Sequence, residues 1–218
     1  MQLGAFYPFM RNHMSVGTID HYPYSFGETL LQASMASLKF RYSILKFYFS
    51  LFVQNQGLGT VFRPVFFDFP SDPHLFNLES QFLIGSELMV AAVVQEGQKQ
   101  VSVYFPAGSN WYNFATGENV FSSQATSATL TFDAPLNGTL PVFIRGGFIV
   151  PIQNVENVLS TKDLDNTLHL VVALNAVGDY DHAFGEIMGI ANYSSDASVD
   201  KCLDGKDCMI GISVTNQR

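Results

Sequence analysis

The sequence predicts an α+β chain in which a long helix near the amino terminus leads into a β-sandwich and then a partial second β domain. Three observations support this. Across residues 26–56, Phe26, Leu30, Ala33, Leu38, Tyr42, Leu45, Phe49 and Phe52 recur at three- to five-residue steps, the stripe of an amphipathic helix. From Thr60 the pattern changes to β-branched and aromatic residues interrupted by Pro64 and Pro70, which exclude helix. Beyond residue 80, short apolar runs alternate with Gly, Pro, Asn and Ser, the spacing of a sandwich.

Taken in order, residues 4–13 pass from small and aromatic side chains into Arg11-Asn12-His13, as a buried strand does when it delivers polar groups to a site. Ser25 and Glu28 have the spacing of a capping box, which would start the helix at Phe26, and Gly57 and Gly59 end it. Strands are expected at residues 82–84, 88–94, 100–105, 111–113, 128–132, 142–145 and 148–153. A polar stretch at 154–166 precedes another strand at 168–174, and 210–214 is the one further strand expected after Gly178. The implied divisions are 1–59, 60–155 and 166–218.

Composition narrows the function. With 47% hydrophobic residues, 20 Phe and 14% charged residues, the chain is too apolar for disorder. A net charge of -8 and the lack of any Lys/Arg cluster exclude a nucleic-acid or anionic-membrane surface. The apolar run at 44–53 contains Lys46 and is half the length of a bilayer span, so no membrane insertion is expected. Residues 1–13 do not read as a signal peptide, and any such signal would lie upstream.

Cys202 and Cys208 bracket Leu-Asp-Gly-Lys-Asp, whose Asp-Gly pair is a tight-turn signal that could bring the sulfurs together; the alternative is two free buried thiols. Sequons begin at Asn137 and Asn192. Cysteines and sequons together point to a secretory, lysosome-like or extracellular route. No metal site is expected, because the cysteines lack a matching histidine pair and His21, His74, His169 and His182 are scattered. Nucleotide motifs are absent, and Arg145-Gly146-Gly147 reads as a turn between strands. Asp179 and Asp181 read as solvated loop carboxylates. Arg63, set among Val, Phe and Pro, needs a partner if buried, and Asp68 or Glu79 could supply it for structural ends. On spacing alone His13 is a half-buried histidine or a loop cap.

Eight colinear blocks alter that last reading. MQLGAFYPFMRNH, PYSFGE, LKFRYSILKFYFSLF, TVFRPVFFDFPSDP, SQFLIGSELMVAAVV, VYFPAGSNWYNFATGE, APLNGTLPVFIRGGFIVPIQ and LHLVVALNAVG resemble, in this order, the carboxy-terminal portion of family 31 glycoside hydrolases, the α-glucosidase family. The resemblance covers residues 1–178 and departs at Met14, at His21-Tyr22-Pro23-Tyr24 and at Ala92. The Asp-Asp-Gly signature expected in the last domain is not recognisable after Gly178.

The resemblance implies that residues 1–59 are the last strand and helix of a (β/α)8 barrel, the α-glucosidase catalytic domain, followed by the two β domains. It implies that His13 hydrogen-bonds the glucosyl unit, supported by Arg11, with an α-glucoside or maltooligosaccharide as ligand of the parent enzyme and no cofactor. It also implies that the nucleophile and acid–base carboxylates lie upstream, so that this chain alone is inactive and its helix stripe would be covered by the rest of the barrel. A competing reading is a non-catalytic carbohydrate-binding or subunit-interaction protein displaying Trp111 and Tyr112; a purely structural protein has only generic sandwich composition behind it.

Overall fold

A computed structural model of the chain describes residues 1–54, 56–123, 125–177, 180–188 and 209–217. Two helices, α1 (Glu28–Ser43) and α2 (Leu45–Gln54), are followed by strands β1 (Phe62–Pro64), β2 (Gln81–Ile84), β3 (Leu88–Ala91), β4 (Gln100–Phe105), β5 (Ser109–Asn113), β6 (Asn119–Ser123) and β7 (Ala128–Asp133). After these come β8 (Val142–Arg145), β9 (Phe148–Gln153), β10 (Leu168–Ala173), β11 (Asn175–Val177), β12 (Tyr180–Met188) and β13 (Met209–Gln217).

The central sheet is antiparallel with strand order β1-β2-β3-β8-β5-β6. Its register places Phe82, Val90 and Val142 in one row, Leu83, Met89 and Phe143 in the next, and Ile84, Leu88 and Ile144 in a third. Successive rows point to opposite faces, and both faces are buried. Leu83, Met89 and Phe143 join Trp111 and Val101, Val103 and Phe105 of the β4–β7 ribbon in one core. Phe82, Ile84, Leu88, Val90, Val142 and Ile144 join Ile44, Phe47, Tyr48 and Leu51 of the helical pair, together with Val150 and Ala173, in the other. The middle strands therefore read as apolar runs without alternation.

The second sheet runs β10-β9-β12-β11, with β13 also on β12. Its β9–β12 contact is parallel and close. A Cβ on Gly185 of β12 would lie 2.6 Å from the Ile149 carbonyl oxygen, so only glycine permits this approach.

Several expectations require correction. The capping box does not form: Ser25 lies in the 3-10 turn Pro23–Phe26, and α1 is entered through Gly27 at φ 91°, a conformation glycine adopts readily. The single long helix is two, separated at Ile44, whose φ -102° and ψ 8° leave the α region. This change of direction carries Phe47, Tyr48 and Leu51 into the core shared by the central sheet and β9, while Phe26, Leu38, Phe49 and Phe52 of the expected stripe are exposed. Residues 4–13 form no strand. Gly4–Phe6 is a 3-10 turn, and residues 7–13 pair with no described strand, so no ladder holds that segment extended. The 61–70 segment extends only through β1 before a 3-10 turn at Val65–Phe67.

Candidate functional site

His13 and Arg11 lie on the exposed segment between the first turn and α1. The segment is rooted in the core by Ala5 and Phe6, both buried, with the Phe6 ring 5.3 Å from that of Phe40 on α1. Arg11 lies over the Phe9 ring at 5.7 Å. A short neck closes the loop beyond His13: the Asn12 side-chain amide donates to the His21 carbonyl at 3.1 Å, and His21 Nδ1 lies 2.8 Å from the His13 carbonyl oxygen. The exposed rings of Tyr22 and Tyr24 stack at 5.3 Å just beyond it. This neck uses His21 and leaves His13 exposed to solvent.

A second constellation joins β1, the turn after it, the β2–β3 turn and β8. Asp68 accepts from Arg145 Nη1 at 3.0 Å and lies 3.4 Å from Arg63 Nη1, with all three side chains at least 80% removed from solvent. Arg145 Nε also donates to Ser109 Oγ at 2.9 Å, and its guanidinium lies 4.4 Å from the centre of the Phe69 ring. Asp68 is thus the partner of Arg63, and Glu79 is not the residue that balances it. Beside them Glu87 accepts the Ser86 N–H at 2.6 Å. Burial raises the Glu87 pKa to about 7, against the lowering effects of backbone hydrogen bonds and Arg63. Burial also lowers Arg145 from its ordinary value, opposed by Asp68 and Glu87. In the sequence Arg63 is marked by its apolar neighbours, whereas Arg145 reads only as part of a turn.

A third site, also missed, is an open groove of about 690 Å³ between the 68–74 segment and the β4–β7 ribbon. Tyr104 donates to Asp72 at 2.6 Å, the His74 backbone N–H donates to the same carboxylate at 3.1 Å, and the His74 and Tyr104 rings stack at 5.8 Å. Despite the opposing effect of burial, hydrogen bonds from Tyr104 and His74 hold the Asp72 carboxyl below its ordinary pKa. Burial and the neighbouring Asp72 raise Tyr104.

The aromatic surface expected at Trp111 and Tyr112 does not exist. Trp111 is fully buried in the second core, because an indole at the centre of a central-sheet strand gains most by leaving water; Tyr112 is half-buried with its hydroxyl donating to the Leu174 carbonyl at 2.7 Å. Asn137 is exposed on the turn between β7 and β8. Cys202, Cys208, Asn192 and Asp179 lie outside the described residues. Among the described residues no group of three His, Cys, Asp or Glu could hold a metal ion, and no helix is long and apolar enough to cross a membrane.

Two family models match adjoining parts of the chain. The glycosyl hydrolases family 31 TIM-barrel domain matches residues 1–51, and the glycosyl hydrolase family 31 C-terminal domain matches residues 59–150. The chain belongs to glycoside hydrolase family 31. It is 37% identical to a lysosomal acid alpha-glucosidase of Tetrahymena pyriformis over 227 residues, covering 99% of this chain and 24% of that protein. It is 36% identical to the lysosomal alpha-glucosidase of Mus musculus over 196 residues, covering 83% of this chain and 20% of that one. Among solved structures, the glucosidase II alpha subunit superposes with a TM-score of 0.78 at 25% identity, covering 99% of this chain and 22% of that chain. This chain thus spans about a quarter or less of the length of these relatives, and its fold is the tail of the family's TIM barrel followed by β-sandwich structure.

Proposed function

We propose that this chain is the carboxy-terminal part of a retaining α-glucosidase that releases terminal α-linked glucose, and that it supplies His13 to the sugar site without the catalytic carboxylates. The observation behind this reading is the match of residues 1–51 to the barrel model, within which lies the exposed Arg11-Asn12-His13 run. Retaining hydrolysis needs two carboxyl groups about 5 Å apart, one as nucleophile and one as acid then base. In this chain Asp68 and Glu87 lie in one cluster, but Asp68 is occupied by two guanidiniums and Glu87 by the Ser86 amide, so neither is offered to a glycosidic carbon. His13 would hydrogen-bond hydroxyls of the glucosyl ring and help hold it as positive charge develops at the anomeric carbon, with Arg11 supporting that segment.

The divisions at 1–59, 60–155 and 166–218 are part of this reading. So is association with the remainder of the barrel through the exposed apolar face of α1, where Met35 and Leu38 border a cleft with Val155, Val158 and Leu159. No cofactor is implied by the family chemistry. A secretory or lysosomal route is supported by the sequons and by the names of the Tetrahymena and mouse relatives. The test is turnover of an aryl α-glucoside by the purified 218-residue chain. No hydrolysis above buffer is expected, and measurable turnover abolished by a single Asp or Glu substitution would place the carboxylates within this chain.

A second reading, a non-catalytic carbohydrate contact, is favoured by the groove at Asp72, His74 and Tyr104, which offers a carboxylate acceptor beside an exposed ring. It predicts retardation in a starch-containing native gel that disappears in His74→Ala; equal mobility with and without starch leaves the first reading alone.

A further inference from the structure

The carbonyl groups of residues 5–8 emerge from the first 3-10 turn with no described strand paired to them, yet all four are satisfied by side chains. Arg41 Nη1 donates to the carbonyls of Ala5 at 2.8 Å and Tyr7 at 2.5 Å, and Nη2 donates to that of Pro8 at 2.9 Å. The Tyr48 hydroxyl, on α2, donates to the Phe6 carbonyl at 2.5 Å. We propose that Arg41, seconded by Tyr48, is the positioning residue for the His13 segment, fixing where Arg11-Asn12-His13 leaves the core. This rests on the reading of His13 as the sugar contact.

The chemistry suits the task. Only a guanidinium offers enough donors in one rigid plane to hold three carbonyls at once, and a lysine would be a single flexible point charge. Arg41 lies in the last turn of α1, where the helix dipole favours a cation, and 5.8 Å from the centre of the Tyr48 ring. Burial raises the Tyr48 pKa, against the lowering effect of Arg41, so its hydroxyl remains a donor at physiological pH. The anchor itself stands on the break between the helices: α1 supplies the guanidinium, and the change of direction at Ile44 lets α2 bring Tyr48 to the same stretch of backbone. Downstream, Met10 folds back to within 3.7 Å of where a Cβ on Gly4 would lie, and the Asn12–His21 neck closes the segment. His13 is thus held at both ends of a short segment while remaining exposed.

The experiment uses the whole chain and its five histidine rings as NMR reporters, His13 being assigned with His13→Asn. In Arg41→Ala the His13 and His21 resonances should shift or broaden while His74 does not. Exchange of the Ala5, Phe6 and Tyr7 amides should rise on the order of tenfold or more. Arg41→Lys should restore the His13 signal only in part, a graded rescue that loss of general stability would not give. Tyr48→Phe, which removes one hydroxyl, is the second variant should Arg41→Ala not fold, and it should accelerate exchange at the same three amides. Unchanged His13 signals and unchanged exchange in a folded Arg41→Ala chain, or in Tyr48→Phe where that is the folded variant, would overturn the proposal. None of these signals depends on sugar, so failure here counts against the anchor, whereas activity of the isolated chain counts against the proposed function.

Discussion

Asp68 and Glu87 show opposite uses of a carboxyl within one cluster. Asp68 balances two largely buried cations, and its replacement by Asn would leave Arg63 and Arg145 close together without that counter-charge. Asp68→Asn should lower unfolding free energy by about 3 kcal/mol in urea titration, and a change within error would show that water already compensates the pair. Glu87 is held by burial at a folded pKa of about 7, above its ordinary 4.5, so the folded state binds the proton more tightly than the unfolded chain does. Its contribution to stability is therefore fully present below about pH 4.5 and is lost as pH rises through about 7. Glu87→Gln should remove that slope, an effect on the order of 3 kcal/mol across those limits, and parallel pH profiles of melting temperature for variant and parent would refute it. Of this cluster the sequence disclosed Arg63, because a cation among Val, Phe and Pro demands a partner. Arg145 and Glu87 were hidden, since they meet Asp68 only when β8 and the β2–β3 turn reach the same end of the sheet.

At the level of elements, legibility depended on how local the determining forces are. Strands β2 to β5 and β7 to β10 were readable because apolar or alternating runs end at turn residues. Three others were not. β6, with the polar sequence Asn-Val-Phe-Ser-Ser, exists as the partner of β5, and β11 and β12 are organised by pairing with each other, β12 also running the full length of β13. Long-range pairing outweighs the Asp and Gly content that makes 180–188 read as loop. The helix break was concealed by apolar residues on more than one side of the 44–53 run, and by Ser43, whose hydroxyl donates to the Phe40 carbonyl at 2.7 Å beside the break. Gly185 gives the element-scale prediction. Gly185→Ala puts a methyl against the Ile149 backbone and should part β12 from β9, costing about 1–3 kcal/mol by thermal or urea unfolding. Faster amide exchange in β9 and β12, with the β2–β3 pair unchanged, would locate the damage there.

For the molecule as a whole, the two cores assign the helices to different neighbours. α2 brings Phe47, Tyr48 and Leu51 into one core with Ile84, Leu88 and Val142 and lies closest to β9 and β12, so a piece beginning at residue 60 would strip one side of that core. α1 contributes only Ala33, Ser34 and Ser37 to the buried set and leaves Met35 and Leu38 exposed beside Val155, Val158 and Leu159. An apolar face of this kind associates when left open. Limited proteolysis should therefore cut first within residues 14–27, a loop that is exposed over almost its whole length, and leave a resistant piece that retains α2 together with the central sheet. Mass spectrometry of the resistant piece decides the matter. An amino terminus at or after residue 60 on a stable product would show that the sheet does not need α2, and retention of residues 1–43 with loss of β2, β3 and β8 would show that the core lies at the other end of the chain.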